Sequence, residues 1–235
     1  MKAFLLAAGL GTRLHPITCT TPKCLIPISD RPLMAWWFEL FKKHGITDVL
    51  VNLHYLPEQV RSFINESKTA FPEIQIYEAY EKELLGSGGT IAANKGFIGN
   101  DDSFLICYAD NLTNANLTEL MEFHQTHNGI LSMALFHTNT PEQCGIACLD
   151  NAGCIVAFEE KPMIPKSSLA NAGIYIVRRE LLDYLPKNCI CDFGKDILPK
   201  LTGQMYGFEL RDYLIDIGTH ENLKKARMEW SNGNI

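Results

Sequence analysis

The sequence predicts an α/β fold, a mostly parallel sheet flanked by helices, with a smaller β-rich portion toward its end. Three observations carry that prediction. Apolar strands alternate with helical patterns through the first 137 residues, the rhythm of βαβ units whose crossovers cover both faces of a parallel sheet. After residue 140 the pattern changes to short strands and turns. The chain of 235 residues is long enough for one large core, and its 46% apolar and 20% charged content is ordinary for a globular protein.

The predicted strands of the first part are Lys2–Ala7, Asp48–Leu53, Ile74–Ala79, Ser103–Ala109 and Ile130–His137, each a short run rich in apolar residues. Helical patterns begin at Pro32, Pro57, Gly88 and Asn116. Pro32 and Pro57 suit first-turn positions, and Gly45 and Gly129 follow helical runs as C-caps. In the second part, Gly145–Leu149 and Cys154–Glu160 flank the turn Asp150-Asn151-Ala152-Gly153 and predict a hairpin. Leu169–Val177 is a further strand, Asp192–Leu201 a short helix, Tyr206–Leu210 and Tyr213–Ile217 strands, and Thr219–Trp230 a closing helix. No repeat or linker interrupts the chain, so residues 1–235 are expected to form a single domain, with 1–137 and 138–235 as its two parts.

Ligands of parallel α/β sheets sit outside the carboxyl ends of the strands. Gly9, Glu81 and Asp110 fall at or just past such ends, so one crevice is expected to hold all three. Strand Ala3–Ala8 runs into Gly9-Leu10-Gly11-Thr12-Arg13, and Thr21-Pro22-Lys23 follows. Glycines let phosphate oxygens approach backbone N–H groups, Arg13 offers a fork of donors and Lys23 adds a second positive charge. These are parts for gripping a nucleoside triphosphate. Asp110 ends one apolar strand and Asp216 sits in another, Tyr213-Leu214-Ile215-Asp216-Ile217. An acid among apolar residues is costly to bury unpaired, so each either caps a turn or holds a cation such as magnesium, which takes hard oxygen ligands. Glu81-Lys82-Glu83-Leu84-Leu85-Gly86-Ser87-Gly88-Gly89 is a second glycine-rich turn, either a hinge at a helix start or a surface for a flat base. Glu159-Glu160-Lys161-Pro162 closes a strand as a solvated end, an ion pair or a phosphate contact.

The stretches LAAGLGTRLHPIT and TPKCLIPI resemble the sugar-1-phosphate nucleotidyltransferase family, and six motifs in the family's order span residues 2 to 230. No G-K-[ST] follows the glycines as in a P-loop, and the third glycine of the dinucleotide fingerprint is missing. The resemblance implies a Rossmann-like fold that joins an NTP to a sugar 1-phosphate, giving an NDP-sugar and pyrophosphate with Mg²⁺. It implies nucleotide binding by Leu6, Ala8, Gly9, Gly11, Thr12, Arg13, Glu81, Gly86 and Asp110, with residues 1–137 as the nucleotide part. It implies sugar-phosphate binding by Lys23, Gly145, Glu160, Lys161, Asn171 and Gly173, with 138–235 as the sugar part and closing helix. Asp110 and Asp216 match the two metal-binding acids, although Ala109 stands where the family usually has Gly. Arg13, Lys23, Asp110, Lys161 and Asp216 form the expected catalytic set. The E-K-E-L-L-G-S-G-G run resembles the guanylyltransferase branch, and a carboxylate at Glu81 suits the N1–H and N2–H₂ donor pair of guanine. GTP and mannose 1-phosphate or a related hexose or heptose 1-phosphate are therefore the expected substrates, with uridylyl or thymidylyl transfer the alternative. A binding-only sensor of NDP-sugars is a second class of reading, and the complete phosphate and metal set weighs against it.

The net charge of −6 argues against general nucleic-acid binding. The eight cysteines, several in apolar runs, read as small hydrophobes rather than disulfides or zinc ligands. With no leader-like start and no membrane-length apolar run, a cytoplasmic setting without membrane attachment is the expectation. The histidines make no Ser/His/Asp or zinc pattern, although His15 and His54 are placed to line the crevice. Trp36 and Trp37 lie in an amphipathic helical run as core or dimer-facing residues.

Overall fold

The computed structural model of the chain describes residues 1–186 and 189–230. Its strands are β1 Lys2–Leu6, β2 Pro27–Ile28, β3 Arg31–Pro32, β4 Asp48–Leu53, β5 Gln75–Tyr80, β6 Ser103–Tyr108 and β7 Asn111–Thr113, followed by β8 Leu131–His137, β9 Gly145–Leu149, β10 Ile155–Glu160, β11 Leu169–Arg178, β12 Met205–Glu209 and β13 Leu214–Asp216. The α-helices are α1 Leu33–Lys43, α2 Pro57–Ala70, α3 Gly86–Ala93, α4 Leu117–Gln125 and α5 His220–Trp230. The α/β class holds, and the main predicted strands fall within about a residue or two of their expected bounds. The chain forms two compact units that interleave along the sequence. One comprises Met1–Leu84, Cys107–Ala115 and Asp212–Ile235, the other Leu85–Ile106 and Asn116–Arg211.

In the first unit β1, β4 and β5 are parallel, with Lys2 opposite Asp48 and Asp48 opposite Gln75. Their central residues are apolar because both faces are covered, as the buried run Ala3-Phe4-Leu5 and Val49-Leu50-Val51 shows. Helix α1 buries Leu33, Met34, Trp37, Phe38 and Phe41 along one stripe. His44 is its C-cap and Gly45 follows at φ +68°, the left-handed conformation glycine adopts at low cost. Pro57 opens α2 at N1, where its missing N–H costs no helical bond. A second cluster joins Leu14, Ile26, Ile28, Leu112, Ile215, Ile217, Leu223, Ala226 and Trp230. Helix α5 completes this cluster, and Trp230 meets Trp36 edge-on at 5.3 Å. Trp37 is core and Trp36 packs against the cluster, its indole N–H donating to the Ile28 carbonyl at 3.1 Å.

The second unit is mostly antiparallel. β8 pairs β11 and β9 pairs β10 antiparallel, while β12 runs parallel to β8. Asp150 organises the hairpin turn, its Oδ1 accepting from the N–H groups of Ala152 and Cys154, both at 2.9 Å. Two sequence expectations are corrected here. Gly129 is not a C-cap: α4 ends at Gln125 with Thr126 as its C-cap, and Gly129 is small because a Cβ there would meet the Tyr206 ring at 2.6 Å. Asp192–Leu201 is not one helix but a π-helical turn, Phe193–Ile197, followed by a 3₁₀ turn, Leu198–Leu201. Pro199 has no N–H for an α-ladder, and Asp192 holds the turn by accepting from the Lys195 N–H at 2.9 Å.

Candidate active site

In the first unit several of the expected site residues lie at the carboxyl ends of the parallel strands. β1 leads into the open loop of Gly9 and Gly11. A Cβ at Gly9 would meet nothing within 4 Å, so the protein's own packing does not demand that glycine. Gly11 is different. It sits at φ +65°, and a Cβ there would press Thr18 Cγ2 at 2.9 Å. The Thr18 hydroxyl donates to the Gly11 carbonyl at 2.7 Å and so anchors the loop. The 3₁₀ turn that follows, Thr12–Leu14, buries Leu14 in the second cluster and leaves Arg13 exposed.

Asp110 and Asp216 come together through the pairing of β7 with β13, which sets Asp216 opposite Asn111. The Ile217 N–H donates to the Asp110 carbonyl at 3.0 Å. Ile215 and Ile217 turn into the cluster, which points the intervening carboxylate the other way. Lys23 lies between the two acids, its Nζ 2.7 Å from Asp110 Oδ2 and 3.0 Å from Asp216 Oδ1. Arg13 stands 3.8 Å from Asp216 Oδ2. Gly218 shows how tight this is: a Cβ there would lie 2.7 Å from Arg13 Nη2 and 2.9 Å from both Lys23 Nζ and Asp216 Oδ1. Burial works against the charge of Lys23, but the two carboxylates outweigh it and raise its pKa. Burial and the charge of Asp110 raise the pKa of Asp216, against the pull of Lys23 and the Gly218 N–H.

Glu81 follows β5 and is 4% exposed. Its Oε1 accepts from Asn52 Nδ2 at 2.8 Å, and its carbonyl accepts from His54 Nδ1 at 2.9 Å. His54 therefore does reach this end of the sheet, as a support for the main chain. Asn52 and Thr18 were not legible as site residues. The only signal for Asn52 is a lone amide in the apolar run Val49-Leu50-Val51-Asn52-Leu53.

The second unit carries the remaining expected residues. Gly88 and Gly89 donate their N–H groups to the Cys191 carbonyl at 2.9 and 3.1 Å, and the Leu85 carbonyl accepts from the Cys191 N–H at 2.9 Å. A Cβ on Gly86, at φ +75°, would run into that same carbonyl. The close approach that these glycines permit is thus made by the chain itself, which satisfies N–H groups at the start of α3. Gly145 is similar: a Cβ there would meet Glu160 Oε2 at 2.6 Å and the Phe158 ring at 2.7 Å. Glu160 is half-buried, and burial raises its pKa, opposed by Lys161 and Lys195 and aided by Asp192. Lys161 is exposed at φ +52°, its N–H donating to the Cys144 carbonyl at 2.9 Å. A non-glycine residue in the left-handed region is uncommon and is held there by its surroundings. Asn171 and Gly173 form a bulge in β11. Gly173 is at φ +67°, its N–H donates to Asn171 Oδ1 at 2.9 Å, and Asn171 Nδ2 donates to the Tyr175 hydroxyl at 2.6 Å.

Among the described residues no group of three or more His, Cys, Asp or Glu side chains could hold a metal ion, and no helix is long and apolar enough to cross a membrane. The two carboxylates converging on Lys23 nonetheless fit a divalent cation that is also ligated by phosphate, since magnesium usually takes only one or two carboxylates in such sites.

A glycine loop at a strand end, two converging carboxylates and two basic side chains thus gather in the first unit of an α/β fold. The nucleotidyl transferase family profile matches residues 2–233, and the chain belongs to that family. It is 32% identical to a UTP–glucose-1-phosphate uridylyltransferase of Synechocystis and 30% identical to mannose-1-phosphate guanylyltransferase 1 of Arabidopsis thaliana, each match covering 93% of the chain. The matches cover 60% and 61% of those relatives, so the chain spans about three fifths of their length. A solved structure from Bacillus anthracis, provisionally assigned as a glucose-1-phosphate thymidylyltransferase, superposes with a TM-score of 0.88 at 25% identity, covering 100% of this chain and 97% of that one.

Proposed function

We propose that the protein is a sugar-1-phosphate nucleotidyltransferase that joins a nucleoside triphosphate to a sugar 1-phosphate and releases pyrophosphate. The observation that carries this reading is the convergence of Arg13, Lys23, Asp110 and Asp216 around Gly218. A phosphate oxygen of the sugar 1-phosphate attacks the α-phosphorus, a new P–O bond forms, and the bond to the β-phosphate oxygen breaks in line with it. The nucleophile is already anionic, so no general base is needed, and catalysis is positioning and charge neutralisation. Arg13, exposed at the loop, steadies the departing phosphates. Lys23 draws a phosphate toward the α-phosphate, and Lys161, in the second unit, is the residue that the family resemblance assigns to the sugar phosphate. Glu160, Asn171, Gly145 and Gly173 shape the sugar side. Asp110 and Asp216 would hold Mg²⁺, which when bound supplies positive charge to the α-phosphate.

Guanylyl transfer to mannose 1-phosphate or a related sugar is the favoured form, because a buried carboxylate at Glu81 suits the two donors of guanine. Uridylyl transfer is the second reading, and the identity to a uridylyltransferase favours it. Pyrophosphate release with Mg²⁺ is measured across GTP, UTP, dTTP, CTP and ATP against common sugar 1-phosphates. GTP with one sugar is expected to give release. Turnover only with UTP or dTTP keeps the mechanism and overturns the guanine assignment. A folded protein that binds a nucleotide yet releases none points to a sensor.

A further inference from the structure

One buried contact at the strand ends is not used by this chemistry. Asn52 lies in β4 and is 4% exposed. Its Oδ1 accepts the Ala7 N–H at 2.6 Å, and its Nδ2 donates to Glu81 Oε1 at 2.8 Å. The Ala7 N–H can only donate, which fixes the amide's orientation and turns its donor end to the carboxylate. Ala7 is the residue between β1 and the glycine loop, so the amide ties Glu81 to the root of that loop. Glu81 is held along its main chain as well, its N–H donating to the Leu53 carbonyl at 2.8 Å. Three parallel strands thus converge through one amide at their carboxyl ends, where α/β sheets take ligands.

We propose that Asn52 is a specificity-determining positioning residue, one that sets base selectivity by fixing the direction in which the Glu81 carboxylate faces the loop. The proposal rests on the reading of this site as a triphosphate site. Hydrogen bonds weaken steeply as their angle falls, so a carboxylate that discriminates donors on a base edge needs a fixed orientation. Asn52 supplies it without adding a charge of its own.

The test measures affinities of the whole chain for GTP, ITP, UTP and ATP by displacement of a fluorescent triphosphate, with pyrophosphate release alongside. The proteins are wild type, Asn52→Ala, Asn52→Asp, Glu81→Gln and the Asn52→Ala/Glu81→Gln double variant. ITP lacks the 2-amino group of GTP and so reports on one hydrogen bond. Asn52→Ala is expected to shrink the ratio between preferred and disfavoured bases about tenfold, leaving the disfavoured ones within about twofold. The double variant is expected to discriminate no worse than Glu81→Gln alone, the mark of two residues acting as a unit. Asn52→Asp keeps an acceptor for Ala7 but sets carboxylate against carboxylate, so its discrimination should also be low. It also serves where Asn52→Ala does not fold. Loss of affinity for every triphosphate by the same factor, or unchanged ratios beside a lower Tm, overturns the proposal. If wild type discriminates triphosphates but releases no pyrophosphate, the transferase reading fails, while the affinity ratios still decide the role of Asn52. A wild type that discriminates none overturns it.

Discussion

Lys23 lies between Asp110 and Asp216, within 3.0 Å of both acids. Two carboxylates that close repel each other, and one positive charge between them offsets that repulsion. On the proposed reading, a divalent ion held by the two acids would compete with Lys23 for their charge, and Lys23 is their counter-ion in its absence. Lys23→Met should lower turnover by roughly two or more powers of ten. It should also make the protein more responsive to Mg²⁺, because the ion then replaces a missing charge. Thermal melting with and without Mg²⁺ checks this: the Mg²⁺-induced rise in Tm is expected to be larger in the variant. Equal rises would mean that the two acids do not hold the ion together. These charged residues were legible in the sequence because their chemistry lies in the side chains and their motif spacing is compact. Asn52 and Thr18 were not, since each matters through one hydrogen bond that residue type and spacing do not display: Asn52 to the Glu81 carboxylate, and Thr18 to the Gly11 carbonyl.

At the scale of elements, the parallel strands were readable because apolar runs bounded by turns repeat at regular spacing. The pairing of β7 with β13, which brings Asp110 to Asp216, was not, because strands this short carry no pattern of their own and their partners lie about a hundred residues apart. The helix–strand turn after α4 hid another network. The Gly129 N–H donates to His127 Nδ1 at 3.0 Å, so when neutral His127 carries its proton on Nε2 and donates it to Ser132 Oγ at 2.8 Å. Ser132 Oγ is also 2.8 Å from His124 Nδ1, which joins the two rings through one hydroxyl. The Arg178 guanidinium donates to the carbonyls of His127 at 2.6 Å and Gly129 at 3.0 Å, which closes the turn. Burial, then the charges of Arg178 and His127, push the pKa of His124 down to about 4. Burial and Arg178 also lower that of His127. The folded state therefore disfavours the protonated forms. A folded pKa below the unfolded value of 6.5 gives stability that is fully present above pH 6.5 and lost as pH falls toward 4. Over that window His124 should account for up to about 3 kcal/mol. Urea titrations at pH 7 and pH 4.5 are expected to show a loss that is smaller in His124→Gln than in wild type. An equal loss in the two proteins would remove His124 from the cause.

Over the whole molecule, the polar and charged groups gathered in the first unit come from three stretches separated by long excursions. Arg13, Lys23, Asn52 and Glu81 lie in Met1–Leu84, Asp110 in Cys107–Ala115, and Asp216 in Asp212–Ile235. The sequence shows the order of the motifs but not this interleaving, because compactness is a property of contacts rather than of order along the chain. One consequence is thermodynamic. A ligand that engages Arg13, Lys23 and an ion on Asp110 and Asp216 binds only when all three stretches are assembled, so its binding free energy adds to the stability of the fold. At a hundred times its dissociation constant a triphosphate should contribute about 2.7 kcal/mol, a rise in Tm of roughly 5–10 °C for a chain of this size. The rise should need Mg²⁺ and shrink when a chelator is added. In Asp216→Asn it should shrink too, even with Mg²⁺ present, since one anionic ligand is gone while the hydrogen bond from the Gly218 N–H can be kept. Thermal melts of both proteins with triphosphate, Mg²⁺ and chelator separate the contributions. A Tm rise in wild type that is indifferent to both the chelator and Asp216→Asn would mean that the triphosphate is held by the loop and its basic residues alone, and would take the second carboxylate out of the ion site.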